Sequence, residues 1–448
     1  MRAGLLALLL ALSLGLSLQT QHAAASTPVF EAGVLNFSLG NPTSLAFGPD
    51  GRLYVASQTQ IRALTLDPTG LTVNSVEVIA NGQNQVTGIA FDPTATSPIK
   101  LYASRREPSA TDGYEGRVST FTAPSWTRQD IITGLPNSTP YTNHYTNGLA
   151  FDSSGKLYIA QGSNTDAGLS GPNYPETPLT AAILQADIHA GGFNGTITYN
   201  PAGTPTTDNV DQTGGDVSVY APGTRNPYDL VVHSNGKIYA TDNGPAGPNT
   251  STTCTTSGTG VSSADELNLI EQGDYYGFPN RNRGRTDVRQ CTYHAPEEGT
   301  GVDFTAPIHT FAAHCSCDGI AEYKSNVFGG EMLGDLVIAQ LIFGNVVRAD
   351  LSPDGLSVQS MTTLESDYNL PLDVAVGPTG IIYIAVHGDS QVAYLAPMSV
   401  GGSAELASVD TGVSSGNPAL ALICAALAGT ALAAIALRTT KATGQGRG

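Results

Sequence analysis

Short stretches of alternating apolar and polar residues recur along most of the chain, each followed by a polar turn and a second strand-like stretch. The pattern is clear in SLAFGPDGRLYVAS, which begins at Ser44, and in GLAFDSSGKLYIAQG, which begins at Gly148. Residues of one parity are mostly apolar, and the turn usually carries Gly with Pro, Asn, Ser or Asp, as in a β-hairpin. Four further copies begin at Gly88, Asp229, Asp318 and Asp373.

The length of this repeat predicts the architecture. Each of the six copies has roughly 60 residues available to it, and a four-stranded propeller blade needs at least about 40. The excess falls in two long polar connections, 161–217 and 244–306. A β-sandwich also has evenly spaced strands, but it does not repeat one phrase at so long an interval. We therefore expect an all-β fold, a six-bladed β-propeller with long inter-strand loops.

Residues that directly precede the hairpins are expected to share one end of the propeller. The innermost strand of each blade begins at the same mouth of the central channel. The residues in this position are His144 before the third copy, Arg225 and Asn226 before the fourth, His314 before the fifth and Leu370 before the sixth. This mouth is the expected place of a functional site.

Composition limits the partners that the chain can have. Only 13% of the residues are charged, and the formal net charge is −18. Because a chain this acidic repels the phosphate backbone of DNA or RNA, we expect no nucleic-acid partner. The 51 glycines and 27 prolines predict frequent turns and few helices.

Both ends of the chain carry apolar segments that predict export and anchoring. The first has a basic residue, an apolar run and small residues at its end, as in a secretory signal peptide. The second is uncharged and precedes a basic tail, which predicts a transmembrane helix or, alternatively, a GPI-anchor signal. The predicted order is a signal peptide (1–25), the propeller (26–398), a Gly/Ser-rich linker (399–418), a hydrophobic anchor (419–437) and a short basic tail (438–448). We expect an extracellular or cell-surface protein that contacts the membrane through its C-terminal segment.

Cysteines and glycosylation sequons fit that location. Four cysteines lie outside the anchor and predict two disulfides with three possible pairings: Cys254, Cys291, Cys315 and Cys317. A bond between Cys315 and Cys317 would need a tight turn, because side chains two residues apart on a strand are too distant. A metal site at these cysteines is the alternative. Candidate glycosylation sites are Asn36, Asn137, Asn194 and Asn249.

Three longer motifs resemble a known family. They are HYTNGLAFDSSGKLYIAQGSN, APGTRNPYDLVVHSNGKIYATDNGP and DELNLIEQGDYYGFPN, and their order and spacing resemble the glucose/sorbosone dehydrogenase family. The likeness runs from about 42 to 395. The resemblance implies a six-bladed propeller, and many members use pyrroloquinoline quinone (PQQ) and calcium to oxidise sugars. Other members are cell-surface propellers that bind signalling proteins and catalyse nothing.

The resemblance also implies a set of site residues. His144 would be the general base, since an imidazole accepts a proton near neutral pH. Arg225 and Asn226 would hold the quinone edge, with the guanidinium stabilising the charge that develops on the quinone oxygen. Backbone carbonyls of Gly244 and Pro245 would bind calcium, which prefers oxygen ligands. The carboxylates of Asp265 and Glu266 are further candidates for calcium, or for bonding to backbone amides in the fourth-blade turn.

The sequence departs from the family pattern at two places. Many members have Gly-Asp after the strand that follows the histidine, whereas this chain has Gly162-Ser163, so support for His144 would fall to Asn164 or Asp166. Basic residues that hold the cofactor carboxylates in bacterial glucose dehydrogenases are replaced here by Ile342, Leu370 and Leu372. Other cations would be needed, and the candidates are Arg348, Arg281, Arg283, Arg285 and Arg289.

Two functions from different classes remain open. The favoured one is a PQQ- and calcium-dependent sugar dehydrogenase that oxidises the C1 hydroxyl of an aldose to a lactone and passes the electrons to an external acceptor. The alternative is a non-catalytic surface propeller that binds a protein or a glycan, which the missing cations would suit. Hydrolysis of a lactone or an ester has weaker support, because the sequence shows no acid-rich channel.

Overall fold

The computed structural model describes residues 28–109, 113–137, 144–166, 176–200, 209–245, 263–296 and 303–398. The predicted signal peptide, linker, anchor and basic tail lie outside these residues. Within the described ranges, no helix combines the length and the apolar composition that a membrane crossing requires.

Six four-stranded antiparallel sheets confirm the predicted six-bladed β-propeller. Blade 1, from the channel outward, contains β2 (Pro42–Phe47), β3 (Leu53–Ser57), β4 (Ile61–Leu66) and β5 (Val73–Ala80). Blade 2 contains β6 (Val86–Phe91), β7 (Lys100–Ser109), β8 (Gly113–Thr122) and β9 (Thr127–Leu135). Blade 3 contains β10 (Thr146–Phe151), β11 (Leu157–Gln161), β12 (Ala182–Ala186) and β15 (Val217–Pro222). Blade 4 contains β16 (Pro227–Val232), β17 (Ile238–Asp242), β18 (Ala264–Ile270) and β19 (His309–Ala313).

Blade 5 contains β20 (Cys317–Glu322), β21 (Leu336–Gln340), β22 (Asn345–Leu351) and β23 (Val358–Glu365). Blade 6 contains β24 (Pro371–Val376), β25 (Ile382–Val386), β26 (Gln391–Pro397) and β1 (Phe30–Ser38). The long connections of blades 3 and 4 add a small hairpin and two short helices: β13 (Thr198–Asn200), β14 (Asp211–Gly214), α1 (Arg281–Gly284) and a 3-10 turn at Val288–Cys291.

The first strand of the chain closes the ring. β1 pairs antiparallel with β26, with Phe30 opposite Pro397 and Val34 opposite Ala393, so blade 6 combines both ends of the propeller. This strand was not recognised from the sequence. Of its nine residues only Leu35 is buried, so it lacks the two-sided apolar pattern that marks the other strands.

Apolar side chains fill the spaces between adjacent blades. Tyr54 and Ile61 of blade 1, for example, form one buried cluster with Ile89 and Leu101 of blade 2. The second strand of each blade is covered on both faces, and β3, β11, β17, β21 and β25 are buried along their whole length. Burial on both faces explains why these strands read as nearly continuous apolar runs.

The innermost strands surround the central channel and bond to one another through side chains. The Asp373 carboxylate accepts the Leu45 amide at 2.6 Å, and the Ser44 hydroxyl accepts the Ile89 amide at 3.2 Å. The Asp229 carboxylate accepts the Ile320 amide at 3.2 Å. Each of these bonds joins one blade to the next, so polar residues at the start of the repeat hold the ring together.

The channel contains an acidic set, contrary to the expectation from the sequence. Asp318 and Asp373 are buried and Asp229 is half-buried, and burial raises the pKa of Asp318 and Asp373 to about 7. Burial and the neighbouring Asp373 raise the pKa of Asp229 well above its usual range. The three residues begin different copies of the repeat, so only closure of the ring brings them together.

Tyr228 divides the channel. Its hydroxyl lies 3.4 Å from the carbonyl oxygen of Thr43, and these residues belong to blades 4 and 1, which face each other in a six-bladed ring. The side chain therefore crosses the axis. On one side lies the mouth where the innermost strands begin, and on the other lies a cavity of about 320 Å³ lined by the later part of these strands.

Candidate active site

His144 lies at the channel mouth, directly before β10, and its ring is fixed by a serine. The Nδ1 atom is 2.9 Å from the Ser163 hydroxyl oxygen, which in turn lies 2.5 Å from the Thr165 carbonyl oxygen. The carbonyl can only accept, so the single hydroxyl hydrogen points towards Thr165, and the serine oxygen accepts from Nδ1–H. The hydrogen-bond network therefore assigns the lone pair of the neutral ring to Nε2, the atom that a general base would use.

The loop that holds this serine is anchored by Glu176. Its buried carboxylate accepts the backbone amides of Asn164 and Thr165, both at 2.9 Å, and the Thr165 hydroxyl at 2.6 Å. Asn164 or Asp166 was expected to support His144, and the bond to Nδ1 comes instead from Ser163. Ser163 supplies it, because the loop turns so that the first residue after Gly162 faces the imidazole.

Arg225 is joined to His144 through the same serine. The Ser163 amide donates to the Arg225 carbonyl at 2.8 Å. The guanidinium donates from Nε to the Asp166 carbonyl at 2.8 Å, from Nη1 to the Asn243 carbonyl at 3.0 Å and from Nη2 to the Asp166 carboxylate. The two residues predicted to carry the chemistry thus lie at one mouth, within one network.

Asp242 fixes the turn that presents Arg225 and Asn226. Its buried carboxylate accepts the Arg225 amide at 2.9 Å and the Asn226 amide at 2.8 Å, and burial raises its pKa to about 7. Asp242 was not singled out from the sequence, although it begins the DNGP motif. Its partners precede it by 16 and 17 residues, and only the pairing of β16 with β17 brings them together.

Gly162 allows His144 and Asn226 to approach each other. A Cβ atom at this position would lie 2.7 Å from the His144 Cβ and 3.0 Å from the Asn226 Oδ1. The same Asn226 oxygen accepts from the Asn147 side-chain amide at 3.0 Å. A side chain at position 162 would therefore separate the imidazole from the asparagine that the resemblance assigns to the quinone edge.

The environment of His144 favours the neutral ring. Burial, and after it the positive charge of Arg225, holds the pKa of the His144 imidazole well below its usual value of 6.5. A base with a lowered pKa stays deprotonated through pH 6.5 and takes up its proton only at lower pH. The imidazole is therefore ready to accept a proton across the neutral range.

This lowered pKa can be measured without any assay of activity. In protein labelled at histidine, we expect the ring resonance that disappears in His144→Asn to titrate only well below pH 6.5. Resonances of histidines elsewhere serve as the internal reference. A midpoint for His144 at or above pH 6.5 would contradict the electrostatic account of this site.

The Gly244–Pro245 loop offers backbone carbonyls beside an unpartnered oxygen. The Ser263 amide donates to the Pro245 carbonyl at 3.2 Å, and among the described residues none donates to the carbonyl of Gly244. A Cβ atom on Gly244 would lie 2.4 Å from the Ala264 carbonyl oxygen, so only glycine fits. The Asn243 side-chain oxygen is buried without a hydrogen-bond partner. Such a group of oxygens fits a hard cation such as calcium.

Asp265 braces this loop from behind. One of its oxygens accepts the Gly244 amide at 2.9 Å, and the other lies 3.4 Å from the Cys317 amide. This contact matches the second role expected for Asp265, that of bonding to backbone amides. Glu266 follows on the same strand and accepts from the Asn268 side chain at 2.8 Å. Direct binding of calcium by either carboxylate stays a prediction.

A disulfide lies next to Asp265 at the start of blade 5. Cys315 and Cys317 are bonded to each other, with Cα atoms 5.4 Å apart. The tight turn that this bond requires is supplied by Ser316, whose φ is 48°. Cys291 is also disulfide-bonded, and Cys254, its candidate partner, lies outside the described residues. With their sulfurs joined, Cys315 and Cys317 offer no thiolates, which removes the metal site considered for these two cysteines.

The other candidate cations are engaged by protein groups. Arg348 was expected near the cofactor, but its Nε is 2.5 Å from the Asp335 carboxylate, at the end of blade 5 remote from Cys317. Arg283 is buried against the carbonyls of residues 178, 180 and 181, whereas Arg285 pairs with Asp211 and Arg289 pairs with Asp287. Arg283, Arg285 and Arg289 therefore tie loops together, because their guanidinium groups are already occupied, and Arg281 lies beside them in α1.

The four sequons differ in their surroundings. Asn36 and Asn194 are exposed, as a glycan would require. Asn137 is only 6% exposed. Asn249 lies outside the described residues. Glycosylation stays a prediction for these asparagines, with Asn36 and Asn194 as the accessible sites.

Similar proteins share this propeller. A quinoprotein glucose dehydrogenase B from Acinetobacter calcoaceticus is 28% identical over 285 residues, which cover 58% of this chain and 55% of that protein. The match thus spans about half the length of that relative. An aldose sugar dehydrogenase from Escherichia coli is 22% identical over 370 residues, 78% of this chain and 88% of that protein.

A solved structure shows the same fold, and a family model covers the propeller. The PQQ-bound form of an aldose sugar dehydrogenase from Streptomyces coelicolor has a TM-score of 0.54 and 21% identity, covering 82% of this chain and 98% of that chain. The model of the family described as glucose/sorbosone dehydrogenase matches residues 39–394, from the first blade to the last. The chain belongs to the glucose/sorbosone dehydrogenase family.

Proposed function

We propose that the protein is a PQQ- and calcium-dependent dehydrogenase of aldose sugars, which oxidises the C1 hydroxyl to a lactone and passes the electrons to an external acceptor. One observation carries the proposal above all. A buried neutral imidazole, with its lone pair on Nε2, stands beside a guanidinium at the mouth of the channel. Proton removal and stabilisation of developing negative charge are the two tasks that such an oxidation sets.

The residues of the mouth fit the two groups that the family implies. Arg225 and Asn226 would hold the quinone edge, and the carbonyl oxygens of Gly244 and Pro245 would hold calcium. The unpartnered Asn243 oxygen supports a cation at this loop. When bound, PQQ supplies an acceptor for the hydride that leaves C1 of the sugar.

The chain itself manages the proton. His144 Nε2 would take the proton of the C1 hydroxyl, while Nδ1–H stays bonded to the Ser163 oxygen and keeps the ring oriented. The sugar loses one hydride and one proton, and the C1–O bond becomes the carbonyl of the lactone. The low pKa of the imidazolium would allow the proton to pass on to water, which returns the base for the next turnover.

The direct test is reconstitution of the purified chain with PQQ and Ca²⁺. We expect reduction of an artificial electron-acceptor dye that depends on an aldose, and we expect a chelator of calcium to abolish it reversibly, because the metal joins cofactor to protein. A preparation loaded with Mg²⁺ serves as the control for divalent charge alone. Absence of turnover with any common aldose would reject the proposal.

One observation favours the second candidate, a non-catalytic surface propeller. Arg225 is already paired with Asp166, and three of the arginines proposed to bind the cofactor carboxylates, Arg285, Arg289 and Arg348, are paired with carboxylates of the protein. A cofactor with several carboxylates needs cations, since burial of an unpaired carboxylate is costly. Spectroscopic titration separates the candidates: a perturbed quinone spectrum on binding supports the dehydrogenase, and no binding supports the alternative. Secretion and surface anchoring stay predictions from the sequence.

A further inference from the structure

A second arginine lies at the rim of the same mouth, on the side of blade 2. The guanidinium carbon of Arg106, on β7, lies 3.6 Å from the ring centroid of Tyr114 and 5.3 Å from that of Tyr145. Tyr145 directly follows His144, and the Cα atoms of neighbouring residues are about 3.8 Å apart. Arg106 therefore belongs to the surroundings of the candidate base.

A glycine brings blade 2 close enough for this contact. Arg106 is paired across the sheet with Gly116 of β8. A Cβ atom on Gly116 would lie 2.1 Å from the Thr146 hydroxyl of β10, so the absence of a side chain lets the two blades touch there. Arg105, the preceding residue, points to the other face, where it bonds to Asp130 and Ser119. Of the two arginines, Arg106 is the one whose side chain reaches the start of blade 3.

The charge of Arg106 has no acidic partner among the described residues. Eight other described arginines form ion pairs with carboxylates: Arg52, Arg105, Arg117, Arg128, Arg225, Arg285, Arg289 and Arg348. The Arg106 Nε atom, by contrast, is buried without a hydrogen-bond partner. Arg62 and Arg283 also form no ion pair with the carboxylates that the structure describes, but backbone carbonyls accept from their guanidinium groups. Within the same ranges, no oxygen accepts from the Arg106 guanidinium, although the chain has a net charge of −18.

The two tyrosines hold the guanidinium without neutralising it. Aromatic faces attract a cation, but they leave its N–H groups without acceptors in their plane. A carboxylate would supply two such acceptors in the geometry that the guanidinium fork requires. The arrangement suits an anion that arrives with a ligand, because the described part of the chain supplies no carboxylate to this guanidinium.

We propose that Arg106 binds the carboxylate of a hexuronic acid, so that the mouth accepts acidic sugars in preference to neutral aldoses. In a hexuronate, the C6 carboxylate is attached to C5, and the ring oxygen joins C5 to C1, so C1 and the carboxylate lie at the same edge of the pyranose ring. His144 is held by Ser163 and the next residue, Tyr145, contacts Arg106, so one sugar can present C1 to the base and its carboxylate to Arg106. The oxidation itself rests on the proposed function: His144 would take the proton of the C1 hydroxyl, the quinone would supply the acceptor for the hydride, and the product would be the lactone of an aldaric acid.

Binding can be tested apart from turnover. Cofactor-free full-length protein is titrated with D-glucuronate and with D-glucose, and we expect glucuronate to bind at least about tenfold more tightly, as one charge-assisted contact would give. In Arg106→Gln this preference should vanish. The matched control is Arg128→Gln, which removes one exposed charge from the same blade and should keep the preference. Equal affinities in the wild type, or an unchanged preference in Arg106→Gln, would overturn the proposal.

Two further measurements separate binding of the sugar carboxylate from loss of folding and from binding of the cofactor. Arg106→Lys keeps the positive charge but not the forked N–H groups of the guanidinium, and we expect it to retain part of the preference for glucuronate over glucose. This variant keeps the proposal testable if Arg106→Gln does not fold. PQQ affinity should be the same in Arg106→Gln and the wild type. A loss of PQQ affinity with the sugar preference intact would assign Arg106 to a cofactor carboxylate and contradict the proposal. A preference for glucuronate without any turnover would refute the dehydrogenase and leave this inference standing.

Discussion

Replacement of His144 by alanine is expected to lower kcat/KM for aldoses by roughly 10²- to 10⁴-fold, the range that a positioned general base contributes. The substitution removes Nε2, the only ring atom left to accept a proton, because Nδ1 is bonded to Ser163. Dye reduction by the reconstituted protein measures the effect. The base acts while the C–H bond breaks, so the loss should appear mainly in kcat.

Controls for this variant must separate chemistry from structure. Added imidazole should restore part of the turnover of His144→Ala, since the truncated side chain leaves room for it, while PQQ affinity and melting temperature stay near the wild type. In Ser163→Ala we expect a milder loss, about tenfold, because the ring loses its orientation but keeps its lone pair. An alanine variant at position 144 that turns over like the wild type would exclude the imidazole as the base.

The fold was predictable because six copies of one phrase carry the same alternation and the same turn chemistry. Apolar residues such as Leu45 and Ile89 face neighbouring blades, and their spacing does not depend on contacts far along the chain. β1 escaped recognition for the opposite reason. It covers the outer edge of blade 6, mostly in contact with solvent, and its place depends on a partner more than 350 residues away.

The site was predictable only where residues stand at the start of a blade. His144, Arg225 and Asn226 occupy such positions, and the ring places them together. The choice of Ser163 over Asp166 as the partner of the imidazole depends on how the loop folds over Glu176. The local sequence does not distinguish Ser163 from Asp166, because either side chain has an oxygen that can bond to the imidazole at the required distance.

Charged residues were the hardest to place. Asp229, Asp318 and Asp373 read separately as ordinary polar residues at the start of a strand, and their mutual repulsion exists only in the closed ring. Arginines pose the same problem, since Arg225 and Arg348 both lie in strand-rich sequence. Which end of a blade each one occupies decides whether it can meet a ligand at the mouth, and that can be tested by one substitution made at both positions.

Arg225→Lys is expected to lower kcat by about 10²-fold, whereas Arg348→Lys should change it by no more than about threefold. Both side chains are almost equally buried, at 10% and 11% exposure, and both bond to a carboxylate and to backbone carbonyls. Lysine keeps the charge in each case but cannot form the fork, so both proteins should lose folding free energy, and Arg348→Lys should lose more, because Asp335 is 8% exposed whereas Asp166 is 50% exposed. Chemical denaturation and dye reduction on the same samples measure the two effects. Because the variant expected to be less stable is the one expected to keep its turnover, a loss of turnover confined to Arg225→Lys reports nearness to His144, and equal activities would remove Arg225 from the reaction.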